Sequence, residues 1–122
     1  MSALKTGYFT HADCRKHEMG AGHPECPERL DAIDDRLLIS GVGDALERRE
    51  APCASQADLE LAHDRFYIAS LRGLEQQIIE QVQAGGPAYA HLDADTAMNV
   101  HTWQEGLCAA GAANAAIAAV MG

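Results

Sequence analysis

The sequence predicts an α/β protein with a parallel sheet flanked by helices, and three observations carry that expectation. Short β-prone runs alternate with longer stretches of helical periodicity. Gly and Pro punctuate the joins between them. Hydrophobic residues make up 48% of the 122 residues and charged residues 22%, the balance of a folded chain rather than a disordered one. Parallel sheets are normally covered on both faces and need helical crossovers, which fits strand, helix, strand, helix, helix in that order. Only two strands are legible, so the expected sheet lacks strands at its C-terminal side.

Each element has its own signal. Lys5 to Thr10 places Tyr8, Phe9 and Thr10 behind a glycine and reads as a first strand. A polar loop follows from His11 to Cys26. Pro27 sits where proline is tolerated at a helix start, Leu30, Ile33 and Leu37 recur at helical spacing, and Gly41 is a natural stop. Leu46 to Ala51 reads as a second strand before Pro52. Ser55 with Asp58 three residues on is a capping pattern, and a brief helix is expected over Ala57 to Leu61. From Asp64, the residues Phe66, Ile68, Leu71, Leu74, Ile78 and Val82 form a helical stripe that ends near Gly85-Gly86-Pro87. Ala88 to Val100 is expected to be a loop. Thr102 is expected to cap a last helix with Trp103, Leu107, Ala110, Asn114, Ile117 and Met121 on one face, and its many Ala and Gly residues predict burial along most of its length.

Charge and composition narrow the function. Eighteen acidic against nine basic residues give a formal net charge of −9, which repels a phosphate backbone and argues against nucleic acid as a partner. Cationic ligands are favoured instead. The run from Met1 to Thr10 has no apolar core, and Cys108 to Met121 is too short and too rich in small residues for a bilayer span, so neither a leader nor a membrane partner is expected. Four cysteines, at positions 14, 26, 53 and 108, have no Cys-x-x-Cys spacing. Without an export signal they read as reduced thiols of a cytoplasmic protein.

Three stretches carry a more specific signal. His23-Pro24-Glu25-Cys26-Pro27-Glu28-Arg29-Leu30 opens the first helix. Ala54-Ser55, Asp58-Leu59, His63 and Tyr67-Ile68 follow at fixed offsets. Leu92-Asp93-Ala94-Asp95-Thr96 leads through Trp103 to Ala109-Ala110-Gly111. Together, and in this order, they resemble the histone deacetylase family, which includes bacterial deacetylase-like proteins and acetylpolyamine amidohydrolases, over nearly the whole chain.

The resemblance implies an arginase-like α/β fold with zinc at the carboxyl ends of the strands. It implies removal of acetyl groups from an acetyl-lysine peptide or a cationic acetylated small molecule such as an acetylpolyamine, with zinc polarising the amide and activating water. The family's tandem His pair and Asp-x-His metal ligands have no counterpart among the six His and nine Asp of this chain. Residues 1–122 are therefore expected to be the N-terminal part of a single deacetylase-like domain, inactive alone, with no catalytic residue and no metal ligand of its own.

By the same resemblance Arg29 lines the inner channel where acetate would leave, a role that suits a planar, permanently charged fork. A solvated Arg paired with Glu25 is the plainer alternative. His23, Pro24 and Glu25 are expected to organise the loop around Arg29. Asp95 corresponds to the rim aspartate that accepts hydrogen bonds from substrate, with Asp93 as competitor and a turn role as the alternative for both. Cys14, His17, His23 and Cys26 also read as a small zinc site, although the spacing between the two halves is tight for one. His63 is expected to be a structural histidine bonded to backbone, Trp103 a core residue, and His11, His91 and His101 to be without chemical companions. A shortened, non-enzymatic relative acting as an interaction or homo-oligomerisation module is the alternative function.

Overall fold

The computed structural model describes residues 4–122. β1 (Thr6–Thr10) and β2 (Leu46–Glu50) pair in parallel, with Thr6 opposite Leu46 and Thr10 opposite Glu50, and α1 (Glu28–Ser40) lies in the connection between them. This is the expected strand-helix-strand unit, and it makes the protein α/β. Pro27 occupies the N-cap of α1, and Gly41 ends the helix at φ 81°, a left-handed conformation that costs glycine little.

α2 (Gln56–Glu60) starts from the expected capping pair. The Ser55 hydroxyl accepts from the Asp58 amide at 3.2 Å, and the Asp58 carboxylate accepts from the Ser55 amide at 2.9 Å. α3 (Arg65–Gln83) begins at Asp64, whose carboxylate accepts from the Phe66 and Tyr67 amides, and its stripe buries Ile68 and Ile78. These caps meet backbone amides that a helix's first turn otherwise leaves without partners.

Expectations need correction at three places in the fold. Ala88 to Val100 is not simply a loop: it holds a hairpin of β3 (Ala90–Asp93) and β4 (Thr96–Met98), paired antiparallel with a register shift between His91 and Asp93. Strands of four and three residues are too short to show alternation, and the turn between them is made by the Asp93 carboxylate accepting from the Asp95 amide at 2.8 Å.

The last helix, α4 (Thr102–Met121), has His101 at its N-cap. Thr102 instead bonds back to Asn99, accepting from its amide and donating to its side-chain oxygen. Burial along α4 holds only for its first half: Trp103, Cys108 and Gly111 are buried, whereas Ile117, Val120 and Met121 are exposed.

The third correction concerns the cysteines. Cys53 and Cys108 form a disulfide across 55 residues, and only Cys14 and Cys26 are free thiols. A missing Cys-x-x-Cys excludes pairing between near neighbours and says nothing of pairs made by packing. Here α4 lies against the segment after β2, with the Ala54 amide donating to the Leu107 carbonyl at 2.8 Å. A Cβ on Gly111 would overlap the Pro52 carbonyl oxygen, so the two backbones meet this closely only because position 111 has no side chain.

Among the described residues, the buried apolar ones are Ala51, Ile68, Ile78, Ala97, Met98, Trp103 and Cys108. Of these, Ile68, Met98 and Trp103 line one cavity between α3, the hairpin and the start of α4. Among the described residues, no helix is long and apolar enough to cross a membrane.

Candidate functional site

The loop before α1 reaches across to the hairpin. The Arg29 guanidinium donates at 2.6 Å to Oε1 of Glu25, four residues back in the loop before the helix. The Glu25 amide donates to His23 Nδ1 at 3.0 Å, and His23 Nε2 lies 3.1 Å from Asp95 Oδ1. With Nδ1 accepting from an amide, the neutral ring carries its proton on Nε2 and donates it to Asp95. Four of the residues singled out from sequence thus form one chain of contacts spanning 72 positions. Pro24 stands between His23 and Glu25 and restricts the backbone that presents them.

The two aspartates of the hairpin differ in employment. Asp93 is used locally: its carboxylate accepts from the Asp95 backbone and from Thr96, and these bonds hold it below the usual carboxylate range. Asp95 leaves its side chain 91% exposed, and His23 is its side-chain partner. The geometry therefore separates a turn-forming Asp93 from an outward-facing Asp95.

Behind Arg29 lies a small cavity of about 90 Å³ whose walls include Cys14, His17, Glu25, Cys26, Arg29 and Glu105. Burial pushes the Glu105 carboxyl up, and repulsion from Glu25 adds to it. Burial also raises the Cys14 thiol, with Glu105 contributing, and lowers His17. His17 is fixed from the far side: Thr102 spends its only proton on Asn99, so the 2.7 Å contact has His17 Nδ1 donating to the Thr102 hydroxyl.

A second, more apolar cavity of about 310 Å³ is walled by Leu59, Tyr67, Leu92, Met98, Trp103 and Glu105 among others. Trp103 is buried, as expected of a core residue, with the Arg72 guanidinium 5.0 Å above its ring. His63 departs from expectation. It is exposed, its ring 6.0 Å from that of Tyr67 at the edge of this cavity, rather than locked to backbone.

Cys14, His17, His23 and Cys26 do not come together as metal ligands. Among the described residues, the ligand atoms that converge within 4.8 Å of one another belong to His11, Cys53 and Cys108. That grouping corrects the reading of His11 as a histidine without companions. Asn99 was also missed: it is buried, donates to the Lys16 carbonyl at 3.0 Å, and accepts from the His101 amide and the Thr102 hydroxyl. A lone Asn between a strand and a helix carries no sequence signal of such a role.

The parallel strand-helix-strand unit, with a proline-bounded loop tied to an exposed hairpin carboxylate, defines an α/β segment whose polar groups converge at one loop cluster. Comparison with known proteins then identifies the class. The model of the histone deacetylase domain matches residues 23–122, and the chain belongs to that family. The crystal structure of the HDA15 HD domain aligns with a TM-score of 0.70 at 22% identity, covering 90% of this chain and 30% of that one, which shows the shared fold. The chain thus spans under a third of the length of that domain. No curated protein matches it.

Proposed function

We propose that this chain is the N-terminal portion of a zinc-dependent deacetylase domain, and that it supplies the substrate rim and part of the inner channel to an active centre completed by other polypeptide. The observation that carries this reading is the link from Arg29 through Glu25 and His23 to Asp95. It ties Arg29 to an outward-facing carboxylate in a family member. Asp95 is suited to accept hydrogen bonds from the backbone or amines of a cationic acetylated substrate, and His23 holds it in place. Arg29 borders the small cavity, where a guanidinium fork would receive a departing carboxylate such as acetate in exchange for Glu25.

The family's zinc does not fit the residues at this site. Arg29, His23, Glu25 and Asp95 do not form a metal-binding group, and the cluster of potential ligands that the chain does assemble contains none of them. No catalytic step is therefore assigned to this chain. Its contribution is binding and orientation.

Exposure of Leu38, Ile39, Phe66, Val120 and Met121 supports docking against further parts of a domain, since parallel sheets and their helices are normally covered. The same surface is what a homo-oligomerising module would use. Light scattering separates the two: a soluble species of fixed stoichiometry favours the module, and concentration-dependent association favours an incomplete domain.

The decisive assay follows an acetyl-lysine peptide and an acetylpolyamine with zinc present. The 122-residue chain alone should give no turnover, and a protein that adds a deacetylase remainder should turn over. In that protein Asp95→Asn should raise KM with less effect on kcat. An inactive completed protein, or an Asp95→Asn variant indistinguishable from its parent, would sink the proposal.

A further inference from the structure

His11, Cys53 and Cys108 come from three different parts of the fold: the turn after β1, the segment after β2, and the first half of α4. Their ligand atoms nonetheless all lie within 4.8 Å of one another. We propose that, once the Cys53–Cys108 bridge is reduced, these three residues form a structural zinc site that clips the three segments together, distinct from the zinc of the deacetylase reaction.

The geometry suits the ion. With Zn–S near 2.3 Å and Zn–N near 2.0 Å, the ligand atoms of a tetrahedral site lie about 3.5–3.8 Å apart. Reduction frees the two sulfurs, bonded to each other in the bridge, to part toward that spacing, and a His11 ring nitrogen stands within 4.8 Å of both. Thiolates and an imidazole are the ligands that zinc prefers.

The surroundings supply the usual outer partners. Gln104 Nε2 stands 3.6 Å from both Cys53 Sγ and Cys108 Sγ, placed to donate to thiolates. His11 Nδ1 accepts from the Asp13 amide at 3.0 Å, and its Nε2 lies 3.7 Å from Glu50 Oε1. Binding through Nδ1 would exchange the Asp13 amide for the cation and leave Nε2–H facing Glu50, the carboxylate pairing that metal-bound histidines commonly keep. Cys108 is fully buried, while a surface cavity lined by Thr10, His11, Arg48 and Glu50 opens beside the histidine and offers a way in.

The chemistry balances with a thiol as reductant. Two molecules of a small thiol become one disulfide, and Cys53 and Cys108 each gain a hydrogen. Zn²⁺ then displaces both thiol protons and takes a lone pair from neutral His11, leaving the fourth position to water. The site is thus occupied by a covalent bridge under oxidising conditions and by a cation under reducing ones, with the same segments held in each state.

Anaerobic titration of the reduced 122-residue chain with Co²⁺, a spectroscopic stand-in for zinc, provides the test. One equivalent should bind with a thiolate-to-cobalt charge-transfer band that Zn²⁺ abolishes. The band should be lost in Cys53→Ser and retained in the Cys14→Ser, Cys26→Ser double variant. Because a substitution can disturb folding, the unmodified chain provides the second measurement: Zn²⁺ should slow alkylation of Cys53 and Cys108 and leave the rates at Cys14 and Cys26 unchanged. Absence of a stoichiometric thiolate band, or protection that is absent or equal at all four cysteines, overturns the assignment. None of these readouts depends on deacetylation.

Discussion

Replacing Gly111 with alanine asks whether α4 and the segment after β2 truly meet backbone to backbone. The added Cβ would overlap the Pro52 carbonyl oxygen and lie 2.7 Å from the Ala54 nitrogen and 2.9 Å from the Cys53 carbonyl carbon. All three are main-chain atoms, so no side chain can swing aside. Relief requires the helix to back away until these separations approach the 3.4 Å of ordinary contact, which breaks the Ala54 bond to Leu107.

Overpacking of this kind costs about 1–3 kcal/mol, and the lost hydrogen bond adds about 1 kcal/mol. Alanine returns up to about 1 kcal/mol through helix propensity. The net expectation is destabilisation by about 1–4 kcal/mol, a large share of the ~5–15 kcal/mol typical of a domain.

Gly106, one and a half turns earlier on α4, is the control. A Cβ there meets nothing within 4 Å, so Gly106→Ala should stabilise by up to about 1 kcal/mol. Urea unfolding followed by far-ultraviolet circular dichroism measures both. Identical substitutions on one helix should move the midpoint in opposite directions, and a Gly111→Ala midpoint equal to or above that of Gly106→Ala would refute the close approach.

Two further outcomes can be measured on the same chain. Ser55→Ala removes one half of the reciprocal cap of α2 and should cost about 1 kcal/mol in urea unfolding, with Ser55→Thr largely restoring it. Burial lowers His17, so folding favours the neutral ring; the stability this contributes is present above the unfolded value near 6.5 and is lost as pH falls through the folded value. The melting temperature should therefore drop on acidification below about pH 6.5, and His17→Gln should flatten that part of the profile. An unchanged profile in the variant would assign the acid sensitivity to other groups.

Local signals in the sequence determined most of the helices and the β1–β2 unit. Pro27, Gly41, Ser55, Asp58 and Asp64 act on their own neighbours through backbone restriction and caps, so their effects are readable without knowing the fold. The ordered motifs around His23, His63 and Asp95 were legible for a different reason, as a pattern shared with a family, and the match over residues 23–122 confirms it. What lay outside the sequence depends on which distant segments touch. The hairpin was missed because three or four residues hold no recognisable period. Pairing of Cys53 with Cys108, the convergence of His11 on them, the contact of His23 with Asp95 and the hub at Asn99 all join positions far apart in the chain. Only packing of α4 and the hairpin against the rest decides such contacts, because a sequence records each residue's chemistry and not the partner that folding brings to it.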